Sequence, residues 1–381
     1  MTDSIKKICY LVTEDWYFLS HRLQLAKAAQ RDGYDVYVIT RINKGKKLIE
    51  SEGIQLIPID MNRHGKNIFK EILLIVHIIK IYKNIKPDII HHIALKPTLY
   101  GTLASIFLKV PKIVNTVAGL GYIFKSRSLG GRLISTIIKY SLKLSVYFKS
   151  PEFITQNPED SDFLVRNNIT KKNNVHLIRG SGVDPELYKP AKYDREIPTI
   201  LFASRLLWSK GVKDYVSAAE IIGNKNIPSV FLLAGEPDPE NPDSVSILQL
   251  DEWNNSGFIS YIGQQNNMPE LLSEIDIVCL PTYYGEGVPK ILIEAASCAI
   301  PLITTDIAGC REIVEHGING YLVPVRDPAA VATMIETLLL DVGLRKKMGS
   351  EGRRIVKEGF SMDKVNAGTI KIYNNLLHRS C

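Results

Sequence analysis

The chain has 381 residues, a net charge of +7, 45 % hydrophobic and 23 % charged residues. That length corresponds to two or three domains at roughly 100–200 residues each, and the balance excludes disordered, collagen-like and disulfide-knot chains. The charge is uneven: residues 1–189 hold 29 Lys and Arg against 16 Asp and Glu, and residues 190–381 hold 18 against 24. Between Asp88 and Glu152 there are nine Lys or Arg and no acidic residue, which points to an anionic partner for the first half.

Met1–Lys7 is short and polar and Ile8–Thr13 is too brief for an apolar signal region, so no cleavable signal is expected. Strands are predicted at Ile8–Thr13, Val36–Thr40, Ile54–Ile59, Ile89–Ile93, Ile113–Val117 and Phe153–Thr155. Helical periods at Ser20–Asp32, Phe69–Asn84 and Leu133–Phe148 separate them. The most hydrophobic stretch, Ile68–Ile81, is interrupted by Lys70, Glu71, His77 and Lys80, and a spanning helix needs about 20 apolar residues. After the turn-rich Ser181–Pro185 the pattern restarts, with strands at Thr199–Ala203, Val230–Ala234, Ile259–Ile262, Ile277–Leu280, Leu302–Thr305 and Tyr321–Val323 and a last helix at Lys364–Leu377. Such alternation predicts an α/β fold of parallel sheets in two similar halves, with a ligand cleft at the carboxyl ends of the strands. The expected domains are 1–185 and 186–362, with a helix in 363–381 packing back on the first. Five cysteines (Cys9, Cys279, Cys298, Cys310, Cys381) show no CxxC spacing, and their odd number fits reduced cytosolic thiols. The tripeptides starting at Asn168 and Asn254 match glycosylation acceptors by pattern only.

The loop after Ile277–Leu280 reads Pro281-Thr282-Tyr283-Tyr284-Gly285-Glu286-Gly287-Val288-Pro289-Lys290 and runs into a helix at Ile291–Ser297. With a helix starting near Val288, Glu286 and Glu294 lie about 12 Å apart along its axis, too far to share one metal ion. A helix N-terminus offers unpaired N–H groups and a positive dipole end to a phosphate, and flanking carboxylates accept from hydroxyl-rich groups. Sugar at Glu286, diphosphate on the helix end and ribose near Glu294 is one reading; the other makes Glu286 a helix cap and Glu294 a solvated face residue. After Thr199–Ala203 comes Ser204-Arg205-Leu206-Leu207-Trp208-Ser209-Lys210-Gly211, whose two cations suit phosphate oxygens better than two solvated surface charges would.

The pair Arg205 and Lys210, the run Glu286–Glu294, and the segments Asp306–Glu312 and Gly317–Gly320 resemble retaining glycosyltransferases of the GT4 type, which have the GT-B fold of two Rossmann-like domains facing across a cleft. The resemblance covers essentially the whole chain and is most specific between Ala203 and Val323. It implies transfer of a sugar from a nucleoside-diphosphate donor with retention of configuration and no bound metal or other cofactor. Arg205 and Lys210 would stabilise the leaving diphosphate, Glu286 would touch the donor sugar and Glu294 its ribose. Backbone groups of Gly287, Val288, Pro289, Lys290 and Ile291 would hold sugar and phosphate, with Gly263 a further donor-side candidate. Fixed cations and helix N–H groups aimed at the diphosphate are preorganised electrostatic catalysis, and the leaving phosphate can itself take the acceptor's proton.

Departures are visible in the first half. Where many relatives have a Gly-Gly turn after the first strand, this chain has Glu14-Asp15-Trp16-Tyr17-Phe18, and in place of a His after the fifth strand it has Thr116-Val117-Ala118-Gly119-Leu120-Gly121-Tyr122. Gly119 and Gly121 do not extend to GxGxxG because Phe124 stands third, and no P-loop is present. His21 and Arg22, and His92 and Lys96, are candidates to touch an acceptor phosphate, as are the backbone groups of Gly119 and Gly121.

The acid-free stretch contains the basic segment Lys125–Arg132 and a helix whose Leu133, Ile134, Ile137, Ile138, Leu142, Val146 and Tyr147 share an apolar side. Beside a basic loop, such a helix suits an anionic membrane surface. The resemblance adds a polyprenyl-diphosphate-linked saccharide as acceptor, a UDP-sugar donor carrying an N-acetylhexosamine, and a cytoplasmic protein peripheral on the inner face of a bacterial membrane. Competing readings are a sugar-nucleotide epimerase of the same architecture, a transferase with a soluble acceptor, a membrane-bound binding protein without activity, and a nucleic-acid-binding protein. The last lacks an RNP-like aromatic motif and has an acidic second half, so no nucleic-acid partner is expected.

Overall fold

The computed structural model describes residues 5–63, 67–108, 112–120, 129–193 and 195–378. Gly121, Lys125, Arg127 and Cys381 lie outside the described residues, as do the side chains of Arg132, Leu133, Ile134 and Ile137. The chain divides into two compact units, Met1–Ser181 with Asp363–Cys381, and Gly182–Met362.

The first unit follows the order β1 (Lys7–Glu14), α1 (Asp15–His21), α2 (Leu23–Arg31), β2 (Asp35–Arg41), α3 (Lys46–Ser51), β3 (Gln55–Pro58), α4 (Ile68–Ile85), β4 (Ile89–Ile93), α5 (Leu95–Ile106), β5 (Lys112–Thr116), α6 (Leu129–Lys149), β6 (Glu152–Thr155), α7 (Pro158–Arg166) and β7 (Val175–Leu177). Its seven parallel strands are ordered β3-β2-β1-β4-β5-β6-β7, so the winding direction reverses between β1 and β4. Alternation along β1 splits the core: Ile8, Tyr10 and Val12 face one side, with Phe18, Leu25 and Ala26, and Cys9 and Leu11 face Leu74, Ile78 and Tyr82 of α4 on the other. Asn67 caps α4 by accepting from the Phe69 and Lys70 N–H groups, and Asn157 caps α7 ahead of Pro158.

Several features differ from the sequence reading: β7 adds a seventh strand beside β6, and α3 and α7 are helices beyond the three predicted in the first unit. Glu14–Phe18 is not an open loop: Glu14 ends β1 and Asp15 opens α1, its carboxylate accepting from the backbone N–H of Asn43 (2.7 Å) and Gly45 (2.8 Å). An additional helix, α5, follows β4 at once, its apolar period interrupted by Pro97 and Gly101.

The second unit runs β8 (Thr199–Ala203), α8 (Val212–Asn224), β9 (Val230–Ala234), α9 (Ile247–Asn255), β10 (Ser260–Gly263), α10 (Met268–Ser273), β11 (Ile277–Leu280), α11 (Lys290–Ser297), β12 (Leu302–Thr305), α12 (Ala308–Arg311), β13 (Gly320–Val323), α13 (Pro328–Leu340) and α14 (Val342–Ile355). Its six parallel strands are ordered β10-β9-β8-β11-β12-β13, reversing between β8 and β11. β11 and β12 are buried at every position, which is why they read as continuous apolar runs rather than alternating ones.

A last helix, α15 (Met362–His378), carries Ile372, Tyr373 and Leu376 into the β1 side of the first unit's core. Tyr34 donates to Asn374 Oδ1 (2.6 Å), and Asn374 donates to Asp32 (2.9 Å). Cys9, Cys279, Cys298 and Cys310 are buried free thiols, and burial pushes Cys298 and Cys310 up to about 12.

Candidate functional site

In a doubly wound sheet, ligands sit outside the carboxyl ends of the strands where the order reverses. In the second unit that position lies between β8 and β11, and the two singled-out loops leave those adjacent strands. The chain after β8 makes a short 3₁₀ turn at Trp208–Lys210 and reverses at Gly211, φ 78°. A Cβ at Gly211 would lie 2.0 Å from the Pro281 carbonyl oxygen, so only glycine lets the loops close on each other. Tyr283 N–H then donates to Ser209 O (2.9 Å), and Ser209 N–H is anchored on Asp243 (3.0 Å).

This stitching delivers Lys210, 7 % exposed, to Glu286, with which it forms an ion pair, and sets its ammonium 4.8 Å from the Tyr284 ring centre. Arg205 pairs with Asp238 beyond β9 (2.8 Å). α11 begins at Lys290, one residue before the predicted Ile291, with Pro289 as its N-cap and no side-chain cap. Glu286 is therefore outside the helix and does not cap it; it serves the cation of the neighbouring loop. Glu294 lies within α11, 5 % exposed, accepting from Tyr188 (2.7 Å) and from Lys290 one turn earlier (3.1 Å), so it is no solvated face residue. The side chains of Val288 and Ile291 are buried in the core. Gly309 in α12 approaches so closely that a Cβ there would sit 2.0 Å from the Gly287 oxygen.

Gly263 ends β10, φ 65°, with open space where a Cβ would stand. It is tied in by Gly235 N–H (2.8 Å), and Gly235 packs under Ser204 where a Cβ would be 1.8 Å from the carbonyl oxygen. The partners Asp238, Tyr188 and Tyr284 carry no sequence signal of their own, because pairing across strands is invisible without the fold. Among the described residues no group of three or more His, Cys, Asp or Glu could hold a metal ion.

The first-unit candidates separate. His92 is fully buried: Nδ1 donates to Asn115 Oδ1 (2.7 Å) and Nε2 accepts from Tyr82 (3.1 Å), so neither nitrogen is left for a phosphate. Burial lowers it to about 4. Lys96 is paired with Glu71 (2.9 Å), and Gly119 N–H already donates to Asp160 (2.8 Å). His21 stacks on Tyr17 at 4.3 Å and bonds Ser20 (2.6 Å). Arg22 is 5 % exposed and its buried Nε has no partner. Where relatives would place a glycine turn, Glu14 is buried beside Arg63 (3.3 Å) and Arg41 (3.8 Å).

Two doubly wound parallel units of this order, with paired cations and carboxylates at the reversal point of the second, define a glycosyltransferase of GT-B architecture. Residues 186–355 match the family of glycosyl transferases group 1 and residues 7–156 the glycosyl transferase 4-like family, and the chain belongs to these glycosyltransferases. It is 28 % identical to the N,N'-diacetylbacillosaminyl-diphospho-undecaprenol alpha-1,3-N-acetylgalactosaminyltransferase of Campylobacter jejuni, over 86 % of this chain and 90 % of that protein. It is 24 % identical to the capsular polysaccharide biosynthesis glycosyltransferase CapM of Staphylococcus aureus, over 98 % of both. In fold it is similar to a glycosyltransferase from Rickettsia africae (TM-score 0.78, 19 % identity, 98 % and 99 % covered) and to HepE of Anabaena in complex with UDP (TM-score 0.76, 17 % identity, 97 % and 100 % covered). An epimerase has no support among these relatives.

Proposed function

We propose that the chain is a retaining glycosyltransferase that moves a sugar, an N-acetylhexosamine, from a UDP-sugar to a polyprenyl-diphosphate-linked saccharide in bacterial glycan or surface polysaccharide assembly. The observation that carries the donor half is the placing of Lys210 and Glu286, beside the uncapped start of α11, at the β8/β11 reversal. As the glycosidic phosphate bond breaks, negative charge grows on the diphosphate and positive charge on the anomeric carbon. Arg205, Lys210 and the N–H groups opening α11 are set to meet the first, and Glu286 the second. Their carboxylate partners hold the two cations in place at no reorganisation cost during the step. With that neutralisation in the chain's own residues, the reaction proceeds without a metal ion. The leaving phosphate takes the acceptor hydroxyl's proton on the same face, which gives retention.

Support for the acceptor comes from the relatives' printed activities, two of which name undecaprenol-linked diphosphates. A surface for the membrane lies on the α4–α5–α6 layer of the first unit. α4 turns Phe69 (80 % exposed), Ile72, Leu73 and Val76 outward and continues the stripe with exposed Lys80 and Lys83, and α6 exposes Tyr140, Leu144, Tyr147 (83 %) and Phe148. An apolar stripe ending in lysines fits an anionic bilayer, whereas a second copy would set lysines against lysines. No helix among the described residues is long and apolar enough to cross a membrane. In this reading the protein binds peripherally, on the inner, cytoplasmic face where nucleotide sugars are supplied.

The test is a panel of UDP-sugars with a polyprenyl-diphosphate saccharide, scored by product mass and anomeric NMR in buffer with EDTA. One UDP-N-acetylhexosamine giving a product of unchanged configuration is expected, with Lys210→Ala lowering kcat by roughly 10²–10³-fold. An inverted product, or activity abolished by EDTA and restored by a divalent cation, would refute the mechanism.

A further inference from the structure

Arg22 stands where α1 ends and α2 begins: its N–H donates to Phe18 O (2.8 Å) and its carbonyl accepts from Ala26 (2.9 Å). This backbone kink folds the side chain inward until only 5 % of the residue is exposed, and Nε is buried without a hydrogen-bond partner. No carboxylate forms an ion pair with the guanidinium among the described residues. The two acids nearest in sequence, Glu14 and Asp15, are committed elsewhere, to Arg63 and Asn43 and to the N–H groups of Asn43 and Gly45.

The Arg22 charge bears on Tyr10, His91 and Tyr373, and these groups are already chained to one another: Thr116 to His91 Nε2 (2.7 Å), His91 Nδ1 to Tyr373 (2.6 Å), Tyr373 to Tyr10 (3.4 Å). Burial and the Arg22 charge together hold His91 well below its ordinary range, so it stays an uncharged neighbour. Tyr10 and His91 are register partners on β1 and β4, the strand pair at which the first sheet reverses. A guanidinium whose Nε is buried without a partner, and which no carboxylate pairs among the described residues, is costly to fold and is strongly attractive to an anion that can accept two of its N–H groups.

We propose that Arg22 is a phosphate-binding cation at the reversal point of the first unit, and that the phosphate belongs to the diphosphate of the lipid-linked acceptor. The identity of the acceptor rests on the function proposed above; the anion seat does not. The donor diphosphate is served by the second unit's own cations, Arg205 and Lys210, and among the described residues no carboxylate pairs with Arg22 to compete with a second diphosphate.

Thermal unfolding of the full chain, with farnesyl diphosphate, UDP or inorganic pyrophosphate, tests the assignment in wild type, Arg22→Met and Arg22→Lys. Without ligand, Arg22→Met is expected to melt about 2–4 °C higher, because an unpaired charge has been taken out of the interior. Farnesyl diphosphate should raise the midpoint of wild type, raise that of Arg22→Lys less, and leave Arg22→Met unmoved, while UDP shifts all three alike. In turnover, Arg22→Met should raise the acceptor KM on the order of tenfold with the donor KM unchanged. Equal responses of wild type and Arg22→Met to farnesyl diphosphate would overturn the proposal, as would a lower melting point with every ligand response retained. Loss of the UDP response alone would reassign the seat to the donor and overturn it equally. If wild type ignores farnesyl diphosphate yet gains an Arg22-dependent shift from pyrophosphate, the anion seat stands and the lipid acceptor falls.

Discussion

His92 is neutral because full burial strips solvent from the charged imidazolium, which outweighs the opposing pull of its Asn115 hydrogen bond. Tyr82 occupies the other ring nitrogen, and Gly101 of α5 packs so tightly that a Cβ there would lie 2.2 Å from Nε2. Held at about 4 when folded, against about 6.5 when unfolded, His92 binds a proton more readily in the unfolded chain. Its contribution to stability is therefore present above pH 6.5 and is lost as the pH falls from there towards 4, to a total of roughly 3 kcal/mol. Urea unfolding of the first unit at pH 7.5 and 4.5 should show this loss, and His92→Gln should show a smaller one. An identical pH slope in both would mean that other groups carry the acid sensitivity. The neighbouring pair His91-His92 also shows the limit of reading residues from sequence. Successive strand residues face opposite sides, so one of them joins the Arg22 network and the other a helix-covered core, and nothing in the sequence assigns the sides. Arg205, Lys210, Glu286 and Glu294 stand out in the sequence by motif spacing, on two loops and the helix that follows the second; the pairings with Asp238 and Tyr188 do not, since they join residues far apart in sequence.

At the scale of elements, α4 has an apolar face on each side. Leu74, Ile78, Ile81, Tyr82 and Ile85 seal it onto the sheet, and Phe69, Ile72, Leu73 and Val76 point away from it. The inner set suffices to hold the helix, so the outer set is free to be changed without loss of the fold. Phe69→Glu with Leu73→Glu should reduce co-sedimentation with vesicles containing anionic lipid at least several-fold, while leaving the circular dichroism spectrum and turnover of a detergent-solubilised acceptor unchanged. Undiminished vesicle binding by that variant would remove α4 from the membrane surface. Six of the first unit's seven strands and all six of the second were legible from short β-branched runs; β7, three residues at the sheet edge and none of them buried, was not. Nor were α1 and α5, because acidic Glu14-Asp15 and the breakers Pro97 and Gly101 mask helical periods that tertiary packing sustains.

For the molecule as a whole, the first unit is built from two separated parts of the chain, whereas the second is one continuous segment, Gly182–Met362. Removing residues 363–381 should therefore uncover Tyr10, Tyr34 and His91 and lower the melting of the first unit, with the UDP-dependent stabilisation of the second retained. A truncated chain that melts like the full one would show α15 to be dispensable.

The same discontinuity orders events during synthesis. Domains usually fold in the order in which they leave the ribosome, but here the segment 182–362 is complete before the last helix of the first unit has been made. Through that interval the hydrophobic seat of Ile372, Tyr373 and Leu376 stays open on the nascent chain, and a chaperone that shields such surfaces would find its binding site there rather than on the second unit.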